Sequence, residues 1–337
     1  MLIGACLTRG TLVPRHAAVF YGFAHGDLLA QSSPSRPMQS AMSKTLPASR
    51  PRSLRPAKAV EISLRDGRSL RARRLDGKGS PLVLLHGLLD SSECWSRFAG
   101  ATSHPSVAFD LPGFGGSDLP SEPLISAYAE DILQALVELD MRNVTLVGHS
   151  LGGAVAAALS ELAPDRIVAL VLLAPAGFGR IALAEVVSVP GVRELARAVL
   201  PRALRSRAVL DASYRLLVTA GEQLPVEVAR RLGREAAALT PGAVMATRAV
   251  VDAGRSRSGF HRRRIGYYGQ VDVLWGERDR VVPPGHAAAV LRALPQASVS
   301  TWEGMGHYPQ RERPVQLAGF LEAACSRFAD LSGAVAA

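Results

Sequence analysis

The sequence predicts an α/β protein whose central sheet is mostly parallel. Short apolar runs typical of buried strands alternate with helical patterns, as in 131–139 and 154–163, and this alternation is typical of βαβ units. Of the 337 residues, 48% are hydrophobic, which is enough to bury a substantial core. No apolar run approaches the length of a membrane span, so a transmembrane protein is not expected.

The apolar strand predicted at 81–85 runs into a His-Gly-Leu turn. A loop at this position can direct the backbone N–H of Leu88 at a reacting carbonyl oxygen. His86 is expected to shape this loop and to lie near a substrate. The next glycine-rich segment contains Asp110 and Asp118, and we expect both to support the site through turn hydrogen bonds.

The most informative segment is 148–152, which has G-x-S-x-G spacing between a β-branched apolar run and a helical pattern. This is the position of a tight turn that projects the Ser150 hydroxyl at a helix N-terminus. A side chain at Gly148 or Gly152 would collide with the neighbouring strand or helix. The backbone N–H of Leu151 would be a second donor to an oxyanion. The competing interpretation is that this serine is an ordinary helix N-cap.

Two further polar residues follow strands near the C-terminus. Asp279 lies just past the strand predicted at 271–275, and His307 lies in a glycine-rich loop just past 298–302. The carboxyl ends of parallel strands meet at one edge of a sheet, so these residues and the serine should converge there. Imidazole can take the serine proton, while a carboxylate fixes its tautomer and stabilises the imidazolium. Glu277 is the nearest rival for the acid role.

These blocks, in this order, resemble the α/β-hydrolase superfamily, and in particular its capped, esterase and lactonase-like serine hydrolases. The resemblance covers about residues 58–330. It implies an α/β-hydrolase fold with an eight-stranded, mostly parallel sheet flanked by helices, and a helical cap inserted after the sixth strand. It also implies hydrolysis without a metal or an organic cofactor. The matching blocks are His86-Gly87 with Trp95 beyond it, the segment 110–118, the G-x-S-x-G turn and the Asp279/His307 pair.

The chain is expected to contain an α/β-hydrolase core at 58–175 and 269–330. Residues 176–268 break the strand–helix rhythm with proline-punctuated helical segments, as an inserted cap would. The helical segments expected within this cap include 191–199, 225–238 and 242–253.

Residues 1–57 are basic and rich in proline and serine, which predicts a disordered leader. Arg9 and Arg15 interrupt the one candidate for a secretory signal, although an organelle transit peptide would have a similar composition. The simplest explanation, which we favour, is a start codon assigned too early, with Met42 or Met38 as the working start.

The predicted cap carries a local positive charge, since it contains sixteen arginines against seven acidic residues. One interpretation is electrostatic steering of an anionic substrate. The other, which we favour, is compositional, because arginine outnumbers lysine 36 to 3 in this chain. Nucleic-acid binding is not expected, because basic and aromatic residues are not interleaved and no recognised motif is present.

The leading functional hypothesis is a serine hydrolase acting on a carboxylic ester or lactone, with Ser150, His307 and Asp279 as its triad. One alternative is hydrolysis of a C–C bond in a diketone-type substrate, and another is a non-catalytic, ligand-binding member of the fold. The expected partner is a small acyl substrate, and the oligomeric state is left open. The positions expected to contact substrate are His86, His149 and Arg180. Three scattered cysteines suggest a reducing compartment and a cytoplasmic protein.

Overall fold

The computed structural model describes residues 57–217, 224–256 and 259–335. Apart from Ala57, the predicted leader lies outside the described residues, as do the alternative starts Met38 and Met42. Within the described residues, no helix has both the length and the apolar character that crossing a membrane would require.

One eight-stranded sheet organises the described part of the chain. Its strands are β1 (Lys58–Ser63), β2 (Ser69–Leu75), β3 (Leu82–Leu85), β4 (Ser106–Phe109), β5 (Val144–His149), β6 (Ile167–Leu173), β7 (Gln270–Gly276) and β8 (Ser298–Trp302). Their order across the sheet is β1-β2-β4-β3-β5-β6-β7-β8. The pairs β1–β2 and β2–β4 are antiparallel, and every other neighbouring pair is parallel. The predicted fold class is therefore confirmed.

Helices connect most of these strands. The α-helices are α1 (Ser96–Ala99), α2 (Ile125–Glu138), α3 (Leu151–Leu162), α4 (Ala182–Ser188), α5 (Val192–Arg205), α6 (Arg207–Leu217), α7 (Val226–Arg255), α8 (Ala287–Ala293), α9 (Pro309–Glu312) and α10 (Pro314–Val335). Short 3₁₀ turns cover Ser92–Trp95, Pro164–Arg166, Phe260–Arg262 and Pro284–His286. The helical patterns at 131–139 and 154–163 correspond to α2 and α3.

Both faces of the sheet are covered, because successive side chains of a strand point to opposite sides. In β3, Val83 and Leu85 belong to the core that includes residues of α2 and α3. Their neighbours Leu82 and Leu84 belong to a second core with residues of α1 and α10. All four side chains are fully buried, and each contributes roughly 1.5–3 kcal/mol of hydrophobic stabilisation. A strand buried on both sides must be apolar at every position, which explains its unbroken run of Leu and Val.

The four helices α4 to α7 lie between β6 and β7. The sequence predicts separate helical segments at 225–238 and 242–253, but α7 is one helix of 30 residues with Pro241 inside it. A proline removes one backbone hydrogen bond of a helix without necessarily ending it. Gly242, the residue after this proline, packs so closely against Gly113 that it leaves no room for a side chain. A Cβ at Gly242 would lie 2.1 Å from the Gly113 carbonyl oxygen. Tertiary packing therefore stabilises α7 at the position where Pro241 removes a backbone hydrogen bond.

Candidate active site

Ser150 follows β5 directly and has a backbone conformation that non-glycine residues rarely adopt, with φ 53° and ψ −113°. Backbone hydrogen bonds hold it there. Its N–H donates to Leu173 O at 2.9 Å, and its carbonyl accepts from the N–H groups of Gly153 and Ala176. Although Ser150 occupies the N-cap position of α3, its side chain makes no capping hydrogen bond. The hydroxyl is therefore not used to cap the helix, contrary to the N-cap interpretation.

Three glycines allow the backbone to crowd around this serine. A Cβ at Gly148 would lie 2.2 Å from the carbonyl oxygen of Gly152, and a Cβ at Gly152 would lie 2.5 Å from the carbonyl oxygen of Leu85. These contacts confirm the expected collisions. A Cβ at Gly87 would lie 3.2 Å from the Cβ of Ser150. The loop after β3 therefore passes directly beside the serine.

His307 and Asp279 form a buried pair. His307 Nδ1 donates to Asp279 Oδ2 at 2.7 Å. The other oxygen, Oδ1, accepts from the backbone N–H groups of Val281 and Val282, both at 2.9 Å. Because the carboxylate accepts the hydrogen bond from the imidazole, Nδ1 carries the proton and Nε2 is left as the acceptor. The rival Glu277 is exposed and accepts a hydrogen bond from a backbone N–H instead.

The loop after β8 that carries His307, here called the histidine loop, contacts the turn that carries Ser150 through His149. Its Nε2 donates to the carbonyl oxygen of His307 at 2.8 Å, and its ring centroid lies 4.7 Å from that of His307. Gln310 Nε2 donates to the other ring nitrogen at 3.1 Å. Burial lowers the pKa of His149 well below its usual value, so the ring is neutral. This contact brings the residue preceding Ser150 against the residue paired with Asp279.

His86 is also fully buried, and both of its ring nitrogens are bonded within the protein. Nδ1 donates to Gly87 O at 2.7 Å, and Nε2 accepts from the N–H of Leu111 at 2.9 Å. As in His149, neither nitrogen is left for a ligand. These contacts do not support the expectation that His86 and His149 touch substrate, and they indicate instead that both rings hold loops in place.

The oxyanion donors expected from the sequence are the backbone N–H groups of Leu88 and Leu151. Among the described residues, neither of these groups donates to a protein acceptor. Leu151 begins α3, where the first N–H groups of a helix have no partner within it. The N–H of Gly152 donates to His86 O at 3.0 Å, which ties the start of α3 to the loop that carries Leu88. Two unused donors therefore remain available near the serine.

Asp110 and Asp118 are held in turn hydrogen bonds, as the sequence suggests. The Asp110 carboxylate accepts from the N–H of Ser92 at 2.7 Å and from that of Gly116 at 2.9 Å. Asp118 accepts from the N–H of Ser69 at 2.8 Å. These hydrogen bonds hold the segment after β4 against β2 and against the loop after β3. Both carboxylates therefore serve the framework around the site.

A buried charge cluster that the sequence does not predict joins three parts of the site. Arg311 Nη2 contacts Asp90 Oδ1 and Oδ2 at 2.7 and 2.8 Å, and Arg231 Nη2 contacts Oδ1 at 3.2 Å. Less than one tenth of each residue is exposed. Burial lowers the pKa of Arg311, but the Asp90 carboxylate outweighs this effect and raises it overall. The cluster connects the loop after β3, α9 beside the histidine loop and α7.

Arg180, the third residue expected to contact substrate, follows β6 by seven positions. Its Nε donates to Glu185 Oε1 at 2.7 Å, and its side chain is largely exposed. It lines a cavity together with His286 rather than belonging to the buried group around His307. No cluster of three or more potential metal ligands occurs within the described ranges.

Comparisons with known proteins identify the family of this chain. A family model described as the alpha/beta hydrolase family matches residues 82–320. The chain is 30% identical over 289 residues to an uncharacterized protein of Mycobacterium tuberculosis, covering 81% of this chain and 84% of that protein. It is 32% identical over 255 residues to the dihydrolipoyllysine-residue acetyltransferase component of an acetoin cleaving system of Pseudomonas putida, covering 74% of this chain and 65% of that one.

A similar solved structure is that of a membrane phospholipase A, a bacterial virulence factor. The TM-score is 0.67 at 24% identity, covering 82% of this chain and 88% of that chain. Such a likeness establishes a shared fold.

Proposed function

Because this chain belongs to the alpha/beta hydrolase family, we propose that it is a serine hydrolase that cleaves a carboxylic ester or a lactone. Its proposed triad is Ser150, His307 and Asp279. The observation that carries this proposal is the 2.7 Å hydrogen bond between His307 and Asp279, in a loop held against the strained turn of Ser150. A carboxylate on Nδ1 leaves Nε2 as the base that a serine nucleophile needs.

We propose the following reaction for these residues. Ser150 Oγ attacks the acyl carbon and gives its proton to His307 Nε2, and Asp279 stabilises the resulting imidazolium. The N–H groups of Leu88 and Leu151 bind the oxyanion, and each such donor contributes roughly 3 kcal/mol to transition-state stabilisation. When the C–O bond breaks, His307 protonates the leaving oxygen. Water, activated by the same imidazole, then attacks the acyl-enzyme, releases the acid and restores the serine.

We assign residues 176–268 the role of a cap that shapes the substrate pocket. The support is positional, since α4 to α7 are inserted in the chain between the neighbouring strands β6 and β7. Arg231 of α7 contacts Asp90 in the loop that carries one oxyanion donor, and Gly242 of the same helix packs on Gly113 after β4. Helices seated on these loops limit which acyl groups reach the serine.

A fluorophosphonate probe tests the nucleophile, because it reacts with activated serines. We expect wild-type protein to be labelled and Ser150→Ala to remain unlabelled, with ester hydrolysis reduced by roughly 10⁴- to 10⁶-fold. Ser160→Ala is the matched control. Ser160 is a buried serine on the same helix α3, and its hydroxyl bonds only to Ala157 O. This control should label and turn over like the wild type.

Labelling of a folded Ser150→Ala protein would show that another residue is the nucleophile. A folded wild-type protein that resists the probe would favour a non-catalytic, ligand-binding role. Turnover of p-nitrophenyl esters, lactones and a vinylogous diketone should then be compared in one panel. We expect esters or lactones to be preferred, and a strong preference for the diketone would contradict the ester assignment.

A further inference from the structure

The cavity lined by Arg180 and His286 has a volume of about 570 Å³ and lies between the segment after β6, the end of α7 and helix α8. Four arginines and two histidines contribute to its lining, and none of the described residues that line it is acidic. The six basic residues are Arg180, Arg255, His261, Arg262, His286 and Arg292. Its size suits a small organic ligand, since binding pockets commonly enclose some 300–1,000 Å³.

One carboxylate offsets this charge. Glu185 accepts from Arg180 Nε at 2.7 Å, and its Oε1 lies 3.8 Å from Arg255 Nε. Arg262 Nε donates to His261 Nε2 at 2.9 Å. Neither Arg262 nor Arg292 has a carboxylate partner within the described part of the chain. Four guanidinium groups against one carboxylate leave three excess positive charges around one cavity.

The two histidines do not add to this charge. Burial lowers the pKa of His286, and burial together with the charges of Arg262 and Arg292 lowers the pKa of His261. Both rings are therefore neutral near pH 7 and can exchange hydrogen bonds with a ligand. The positive charge belongs to the guanidinium groups, which stay protonated at any physiological pH.

We propose that this cavity binds the phosphate group of a small anionic ligand. Guanidinium forks match the oxygens of phosphate, and Arg–phosphate hydrogen bonds are among the strongest in proteins. A carboxylate has one negative charge, whereas a phosphate monoester has nearly two at neutral pH, so the phosphate balances the three excess charges better. The volume leaves room for an organic group attached to the phosphate.

The position of the cavity relates it to the catalytic loops. His286 follows Asp279 by seven residues and lies within range of its charge. Arg180 and Phe178 belong to the segment that follows β6, whose residue Ala176 donates its N–H to the Ser150 carbonyl at 3.0 Å. If the proposed serine hydrolase activity holds, the phosphate belongs to the substrate, which is then an ester bearing a phosphate group.

Calorimetric titration with inorganic pyrophosphate tests the site without any catalysis. We expect saturable binding that weakens steeply between about 0.05 and 0.5 M NaCl. Arg292→Gln should weaken it by about tenfold or more, whereas Arg197→Gln should bind like the wild type. Arg197 is an exposed arginine of α5 that does not line this cavity. Absence of saturable binding, or equal affinity of Arg292→Gln and wild type, would overturn the proposal.

Hydrolysis assays then distinguish a substrate phosphate from a free one. The two substrates are a short-chain acyl ester of glycerol phosphate and the same ester without phosphate. For a substrate phosphate, Arg292→Gln should raise KM about tenfold for the phosphate ester alone. Pyrophosphate binding with equal effects on both esters would identify a site for free phosphate-bearing anions. Pyrophosphate binding without any ester turnover would refute the proposed function and leave the anion site intact. Ester turnover without pyrophosphate binding would refute the anion site and leave the proposed function intact.

Discussion

Replacing Asp90 by Asn should be among the most destabilising single changes around this site. The Asp90 carboxylate is the hydrogen-bonded counter-charge of two buried guanidinium groups, those of Arg311 at 2.7 and 2.8 Å and Arg231 at 3.2 Å. Removing one partner of a buried ion pair costs about 3–5 kcal/mol, because the remaining charge stays desolvated. An asparagine retains one oxygen acceptor but has no charge, so we expect a loss of free energy of unfolding within that range.

The size of the loss should depend on which member of the cluster is changed. Arg231→Met removes the longer contact with Asp90 and two weaker ones, at 3.8 Å to Glu235 and 3.9 Å to Glu93. It replaces the side chain with an apolar group, so the cost should be about 1–2 kcal/mol. A loss of 3–5 kcal/mol lowers the melting temperature by roughly 6–10 °C, at about 2 °C per kcal/mol for a domain of this size. Asp140→Asn is the control, because Asp140 is largely exposed and contacts Arg142 at 3.5 Å. It should leave stability unchanged.

Circular dichroism during urea and thermal unfolding measures these differences. The expected order of stability is wild type and Asp140→Asn first, then Arg231→Met, then Asp90→Asn. If Asp90→Asn unfolds within about 1 kcal/mol of the wild type, the two arginines are not held as desolvated charges and the argument fails. The same failure follows if Arg231→Met is the more destabilised of the two.

Two further predictions concern the proposed triad carboxylate and the buried histidines. Asp279→Asn should lower kcat by roughly 10³- to 10⁴-fold in a folded protein, because an amide no longer stabilises the imidazolium of His307. Glu277→Gln is the control and should retain activity. Equal losses in both variants would contradict the assignment of Asp279 to the triad. Burial lowers the pKa values of His86 and His149 below the usual 6.5, so the unfolded chain takes up protons first as the pH falls. Their contribution to stability is complete above about pH 6.5 and is lost below it, by up to about 1.4 kcal/mol per pH unit for each histidine. Urea unfolding from pH 7.5 to 5 measures this slope, and constant stability over that range would refute it.

The strand-end residues could be predicted from the sequence because their signals are local. Ser150 lies between glycines whose Cβ atoms would collide with the backbone, and these collisions follow from the G-x-S-x-G spacing itself. Asp279 and His307 each follow a short apolar run, and the carboxyl ends of parallel strands meet at one edge of a sheet. Their hydrogen bond spans 28 residues, but it is implied once both strands are predicted.

The charge cluster could not be predicted in this way. Asp90 and Arg311 are 221 residues apart, and Asp90 and Arg231 are 141 apart, with no motif around any of them. In a chain with 36 arginines, composition does not distinguish the two that are buried among the described residues from those that are exposed. The continuity of α7 through Pro241 could not be predicted for a related reason. The packing of Gly242 against Gly113 is a tertiary contact that no local sequence pattern indicates.

Buried charges are costly, so their position beside the proposed triad calls for a physical reason. The proposed mechanism requires a serine, an imidazole and two N–H donors to keep their geometry to within roughly 0.5 Å, although they lie on loops and turns rather than within strands. The turn after β5 is tied to the histidine loop by His149, and the loop after β3 is tied to α3 by the Gly152 N–H. The Asp90–Arg311 pair then joins the loop after β3 to α9, the helix that follows the histidine loop. An apolar contact of similar size would add stability without direction, whereas the charge-assisted hydrogen bonds from Arg311 Nη2 to the two Asp90 oxygens depend on distance and orientation. We therefore expect an apolar replacement of Asp90 and Arg311 together to recover stability more readily than kcat.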